Sequence, residues 1–115
     1  MKYTLGDLCD GIEKNGYPQI KHSFFSKDGA CALGQAFLNL GIASEYSEAI
    51  FALSKIDDTC YKKEIAYEGH IPSTIIVRLN DVGDGLPLPE IAARIRSDYK
   101  DYLNEVIYDD GGSWK

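Results

Sequence analysis

A chain of 115 residues with 44% hydrophobic and 26% charged side chains has the make-up of one ordinary globular domain. At that length folding buries more than ~60% of the unfolded surface, so a single apolar core suffices without a metal or disulfide staple. Eighteen acidic side chains against twelve basic ones give a formal charge of −6, a field that repels phosphate backbones and argues against nucleic acid as a partner.

Thr4 followed by Asp7 resembles a helix cap, and Leu5, Leu8, Cys9 and Ile12 recur at helical spacing as far as Asn15-Gly16. Gly16-Tyr17-Pro18 stops that helix, because glycine accepts the left-handed end conformation and proline cannot continue the ladder. Gln19 to Lys27 has no clear period. Asp28 reads as the cap of a second helix closed by Gly41, and Ser44 as the cap of a third with Tyr46, Ile50, Leu53 and Ile56 on its apolar stripe. Asp57 or Asp58 would start a fourth, shorter helix through Tyr61, Ile65 and Tyr67, ended by Gly69.

In HIPSTIIVRLNDVG the β-branched run at 75–77 suits a strand, yet Ile71, Ile75, Leu79 and Val82 recur at spacings of four, four and three. That spacing predicts a helix, with Pro72 in its first position and Arg78, Asn80 and Asp81 off the stripe; a minor strand over 73–79 is the alternative. After the loop DVGDGLPLP, the spacing of Ile91, Ile95, Tyr99, Tyr102 and Val106 predicts a final helix of about twenty residues, ~30 Å long. Its other face would carry Asp101, Glu105 and Asp109 as an acidic ladder. The expected fold is therefore all-α or mainly α, a single compact domain of about five to six helices over 1–110, with 111–115 a frayed tail.

Cys9, Cys31 and Cys60 form no C-x-x-C pair and have no histidine at zinc spacing, so reduced, buried thiols are expected and a metal site is not. The apolar runs are too short to cross a bilayer, and MKYTLGDLCDG lacks the organisation of an export signal; no membrane association and a cytoplasmic setting are expected.

The stretch GACALGQAFLNLG holds the main chemical question. With Asp28 as cap, Cys31 would sit in the first turn of a helix, where free backbone N–H groups and the helix dipole favour a thiolate. Cys31, His70 and Asn80 or Asp81 follow the chain order of papain-like hydrolases, but the flanking signature of those enzymes is missing and a helix is expected after His70. Packing explains more: Ala30, Cys31, Ala32, Gly34 and Ala36 crowd two turns with small side chains. Gly34 alone costs ~1 kcal/mol relative to alanine inside a helix, which close approach of another helix backbone would offset. No catalytic residue is therefore assigned.

The 80–91 loop fails as a calcium site, since Val82 and Ile91 stand where oxygen ligands are needed. Asp81 and Asp84 read as turn stabilisers, and His22 and His70 as structural or exposed residues. If a ligand pocket exists, it lies between the Cys31 helix and this loop, with Cys31, Asn80, Asp81 and Asp84 as its contacts. Asp98, Tyr99, Asp101, Tyr102, Glu105, Tyr108 and Asp109 together suggest a face for a partner protein. No phosphate-binding glycine loop, paired-carboxylate motif or redox motif is present, and no cofactor is expected.

The stretches IEKNGYPQIKHSFFSKDGACALGQAFLNLGI and IIVRLNDVGDGLPLPEIAARIR resemble a family of small bacterial and phage-borne proteins with a C-A-L-G-A-type helix and an N-D-x-x-G-type loop. Cys31-Ala32-Leu33-Gly34, Asn80-Asp81 and Ile91-Ala92 carry the resemblance, over roughly 12–96. Gln35 stands where a small residue is usual, and Leu88 where a serine or threonine cap is usual. The resemblance implies a compact, mainly α fold and transfers no catalytic residue. The setting of such proteins suggests accessory roles, including phage factors that blunt host defences. The expected function is thus a small non-enzymatic interaction or regulatory protein, such as a phage or prophage factor inhibiting a host defence protein. A small-molecule or nucleotide-signal sponge and a cysteine hydrolase are the alternatives, and self-association is left open.

Overall fold

A computed structural model describes residues 1–14 and 16–109. Strand β1 (Lys2–Thr4) leads directly into helix α1 (Leu5–Glu13), where Thr4 and Asp7 form the expected reciprocal cap. The next two free N–H groups of that helix, on Leu5 and Gly6, donate to the carbonyls of Glu105 and Leu103. The start of the chain is thereby tied to its far end, and strand β4 (Val106–Asp109) pairs antiparallel with β1.

Strands β2 (Phe25–Ser26) and β3 (Gly29–Ala30) form a small hairpin, and Gln19 adds a parallel bridge to Ala30. Helix α2 (Ala32–Leu40) follows, closed by Gly41 in the left-handed region as expected. Its start differs: Cys31, not Asp28, is the cap, because residues 29–30 are committed to the hairpin.

Helix α3 (Tyr46–Lys62) runs on through the place expected for a fourth helix. Asp57 begins nothing, since its carboxylate accepts a hydrogen bond from Ser73 Oγ at 2.6 Å. Ser44 is likewise not the cap; Glu45 precedes the helix, and Glu48 reaches back to the Ser44 N–H. The stripe also turns: Ala49, Ala52, Ile56 and Cys60 are buried, while Tyr46 and Ile50 face outward. Glu68 and Gly69, both at positive φ, make the tight turn that pairs Tyr67 with His70.

Helix α4 (Pro72–Asp81) settles the ambiguous stretch as helix, with Pro72 at its start. Its buried face is Ser73, Ile76 and Asn80, so Asn80 lies inside the protein and Val82 outside, the reverse of expectation. Helix α5 (Leu88–Asp98) is about half the expected length and gives way to a 3-10 turn, Lys100–Tyr102, before β4. Val106, Ile107 and Tyr108 are strand formers, and pairing with β1 overrides the helical spacing that runs through them.

The molecule is therefore mainly helical, as expected, with five α-helices among the described residues, and the two small antiparallel sheets are the part that the expectation lacked. One core joins Leu5, Leu8, Ile12, Phe37, Ile56, Ile76, Ile91, Ile95 and Tyr99. The tail expected at 111–115 lies outside the described residues. No described helix is long and apolar enough to cross a membrane.

Candidate functional site

Helix α2 begins at the centre of a polar knot. The Cys31 sulfur accepts the Gly34 N–H at 3.5 Å, which makes a cysteine the side-chain cap. Two positions before Gly34, the Ala32 N–H donates to Asn80 Oδ1 at 3.0 Å. That oxygen also accepts from Gln19 Nε2 at 2.9 Å, while Asn80 Nδ2 donates to the Ile20 carbonyl at 2.9 Å and to Asp81 Oδ1 at 2.7 Å. An amide side chain offers two acceptor and two donor positions, and Asn80 spends all four on the protein. It holds the 19–21 segment, α2 and α4 in one arrangement and leaves nothing for a ligand.

Gln35 does similar work one turn into α2. Its Nε2 donates to the carbonyls of Tyr17, Pro18 and Ala30, at 2.6, 3.3 and 3.2 Å. An amide thus stands where the resemblance leads one to expect a small residue, and it anchors the loop that wraps α2.

Gly34 has a different reason for being small than a helix crossing. A Cβ there would run into the Phe24 carbonyl, so the close neighbour is the bend before the hairpin. The tight helix crossing is between α1 and α2 instead, where a Cβ on Gly11 would come 3.0 Å from Ala36 Cα.

The same folding of 19–24 over α2 brings together two of the expected site residues and one that was set aside. His22, Cys31 and Asp81 line one open cavity of about 240 Å³ with Ser23, Phe24, Tyr46 and Val77. His22 Nδ1 lies 3.6 Å from Asp81 Oδ2, and the His22 backbone N–H donates to Asp81 Oδ1 at 3.1 Å. His22 has a positive φ of 64°, a conformation that non-glycine residues rarely adopt, held here by that carboxylate. The His22 ring is 74% exposed and the Asp81 side chain 21%.

Burial pushes the Cys31 thiol above its usual range, against the lowering pull of the Gly34 and Leu33 N–H groups, and the Asp81 carboxylate adds to the rise. The cap position does not give a resting thiolate, because desolvation outweighs the backbone donors.

His70 is elsewhere. It lines a separate cavity with Tyr67, Glu68, Arg78, Arg94 and Asp98, and its carbonyl accepts the Tyr99 hydroxyl at 2.6 Å. Cys31 and His70, grouped only in the alternative hydrolase reading, line different cavities. Asp84 faces a third cavity beside Arg78, Val82 and Arg94.

The acidic, tyrosine-bearing face expected on the last helix is dispersed. Tyr99 is fully buried and Tyr108 nearly so, its ring tilted against that of Tyr3 with 6.2 Å between centroids. Asp98 pairs with Arg94 at 3.5 Å and Glu105 with Lys63 at 3.5 Å. Asp101 lies in the 3-10 turn and Asp109 on β4, with Tyr102 half-buried between them, so no ladder of carboxylates runs along one helix.

Sequence spacing could not reveal His22, which lies 59 positions from Asp81 in a segment without a period. Asn80 did leave a trace, four residues after Ile76 on the buried face of α4. Among the described residues, no group of three or more metal-ligating side chains is close enough to hold an ion. No family model, curated protein or solved structure matches the chain.

Proposed function

We propose that this chain is a small interaction or regulatory protein that grips its partner at the cavity beside Cys31, and that the occupant is one apolar side chain of a partner protein. The observation that carries this reading is the cavity itself, about 240 Å³, walled by Phe24, Tyr46 and Val77. Small-molecule sites span roughly 300–1,000 Å³, so the volume suits a single inserted side chain better than a whole nucleotide or other signal molecule. Tyr46 is 66% exposed and Val77 41%, and Ile50 lies one turn beyond Tyr46 on the same face of α3. An anchor pocket ringed by exposed aromatic and aliphatic groups is the usual centre of a protein interface. The formal charge of −6 favours a partner with a basic rim, through steering of the encounter.

In this reading the acidic residues Asp101, Glu105 and Asp109 are peripheral. The resemblance to phage-borne proteins suggests a host defence protein as the partner class.

The test compares immobilised wild type with Val77→Arg and with the triple change Asp101→Lys, Glu105→Lys, Asp109→Lys in retention of a stoichiometric protein from host lysate. Loss with Val77→Arg and retention by the triple variant is expected. The opposite pattern would return the interface to the C-terminal surface.

A further inference from the structure

The three cysteines sit in unlike places. Cys9 and Cys60 are 0% and 1% exposed within the core, and burial pushes both thiols up to about 12. Cys31 is 8% exposed and lines an open cavity that also holds an imidazole and a carboxylate. Thiol–disulfide exchange needs a sulfur that an incoming disulfide can approach, a base for its proton, and room for the group that stays behind. Only Cys31 of the three lines a cavity that also holds an imidazole, that of His22, whose Nδ1 lies 3.6 Å from Asp81 Oδ2.

We propose that Cys31 is a modification site that forms a mixed disulfide with small disulfides of low molecular weight, and that the attached group closes the cavity to the partner. The second half rests on the interaction reading above; the first does not. In the exchange the Cys31 proton passes through a bridging water to His22, and the sulfur attacks one sulfur of R–S–S–R. A new Cys31–S–S–R bond forms as the old S–S bond breaks. The departing sulfur takes the electron pair and recovers the proton from His22 as R–SH. Cys31 is oxidised and the disulfide reduced, so no further oxidant is needed.

Charge narrows the class of disulfide. Asp81 faces the cavity and the chain carries a net −6, which disfavours anionic disulfides and favours cationic ones. A volume of about 240 Å³ admits one aminothiol arm but not a large peptide.

Native protein treated with cystamine, followed by peptide mass mapping, tests the first half. Cys31 should gain one aminothiol group while Cys9 and Cys60 stay unmodified, and His22→Asn should slow the reaction by about tenfold or more. Asparagine is chosen because it tolerates the positive φ at that position. Equal labelling of all three cysteines, or none at Cys31, overturns the proposal, and an unchanged rate in His22→Asn removes the histidine from it.

Partner retention by the cystamine-treated wild type tests the second half. Lost retention supports closure. Full retention by the treated protein, with retention lost in Val77→Arg, overturns closure and leaves the interaction reading intact. Full retention in both overturns the interaction reading and leaves the modification standing.

Discussion

The contact between α1 and α2 is closed, whereas the one between α3 and α4 is open along part of its length. At the first, Gly11 faces Ala36 so closely that even a methyl group would have to displace the backbone of its neighbour. At the second, one hydrogen bond from Ser73 to Asp57 clasps the helices, and farther along Tyr46 and Val77 face the cavity beside Cys31. Small residues let helix backbones meet and leave no space for a ligand. Larger, half-exposed side chains hold them apart and leave a recess. Cys31 stands where these two kinds of packing join, and its neighbours in sequence belong to the closed kind while its cavity belongs to the open one.

Filling the close approach of α2 to the segment before β2 should have the largest effect. Gly34→Ala drives a methyl group into the Phe24 carbonyl and is expected to cost about 3 kcal/mol or more, read as a lower urea midpoint. A loss below about 1 kcal/mol would mean that the 20–24 segment moves aside easily, and the cavity walls with it.

Asn80→Leu strikes the joint between the two regions. It leaves the Ala32 N–H, the Ile20 carbonyl and the Gln19 amide without their buried partner, at an expected cost of about 3 kcal/mol. Faster amide exchange at Ala32 in a destabilised but folded variant would show that the knot positions α2.

Alkaline pH probes the core beneath both contacts. Cys9 and Cys60 have folded values raised from 9.0 to about 12, and burial raises Tyr99 from 10.0 to about 12. The unfolded chain releases these protons first, so their stabilisation is complete below pH 9 and is lost as pH rises from about 9 to 12. Urea midpoints should fall through that window, and a flat profile would mean that these groups are hydrated in the folded state.

On the open side the expected effect on stability is smallest. Val77→Arg should change it by no more than about 0.5 kcal/mol, because Val77 is 41% exposed, while partner retention is lost. A large loss of stability would show that Val77 packs against the core.

How much of this was legible from the residues follows the same division. Local chemistry carried the Thr4–Asp7 cap, the Gly41 stop and Pro72 at the start of α4, since each acts within a turn of itself. Long-range pairing was not legible. Val106 to Tyr108 fit a helical spacing as well as a strand, and only β1, about a hundred positions earlier, decides between them. Asp57 read as a cap because aspartate so often is one; its partner Ser73 lies on another helix. At the site, Cys31 and Asp81 were found by residue type. The histidine that shares their cavity was not, because His22 reaches Asp81 only through a backbone conformation that no periodicity announces.

The central claim is that the partner covers the cavity beside Cys31, and the alkylation rate of that thiol reads this most directly. Iodoacetamide labelling of Cys31 in native protein should slow markedly when the retained partner is bound, and recover when Val77→Arg prevents binding. An unchanged labelling rate in the stable complex would contradict the claim and place the interface elsewhere.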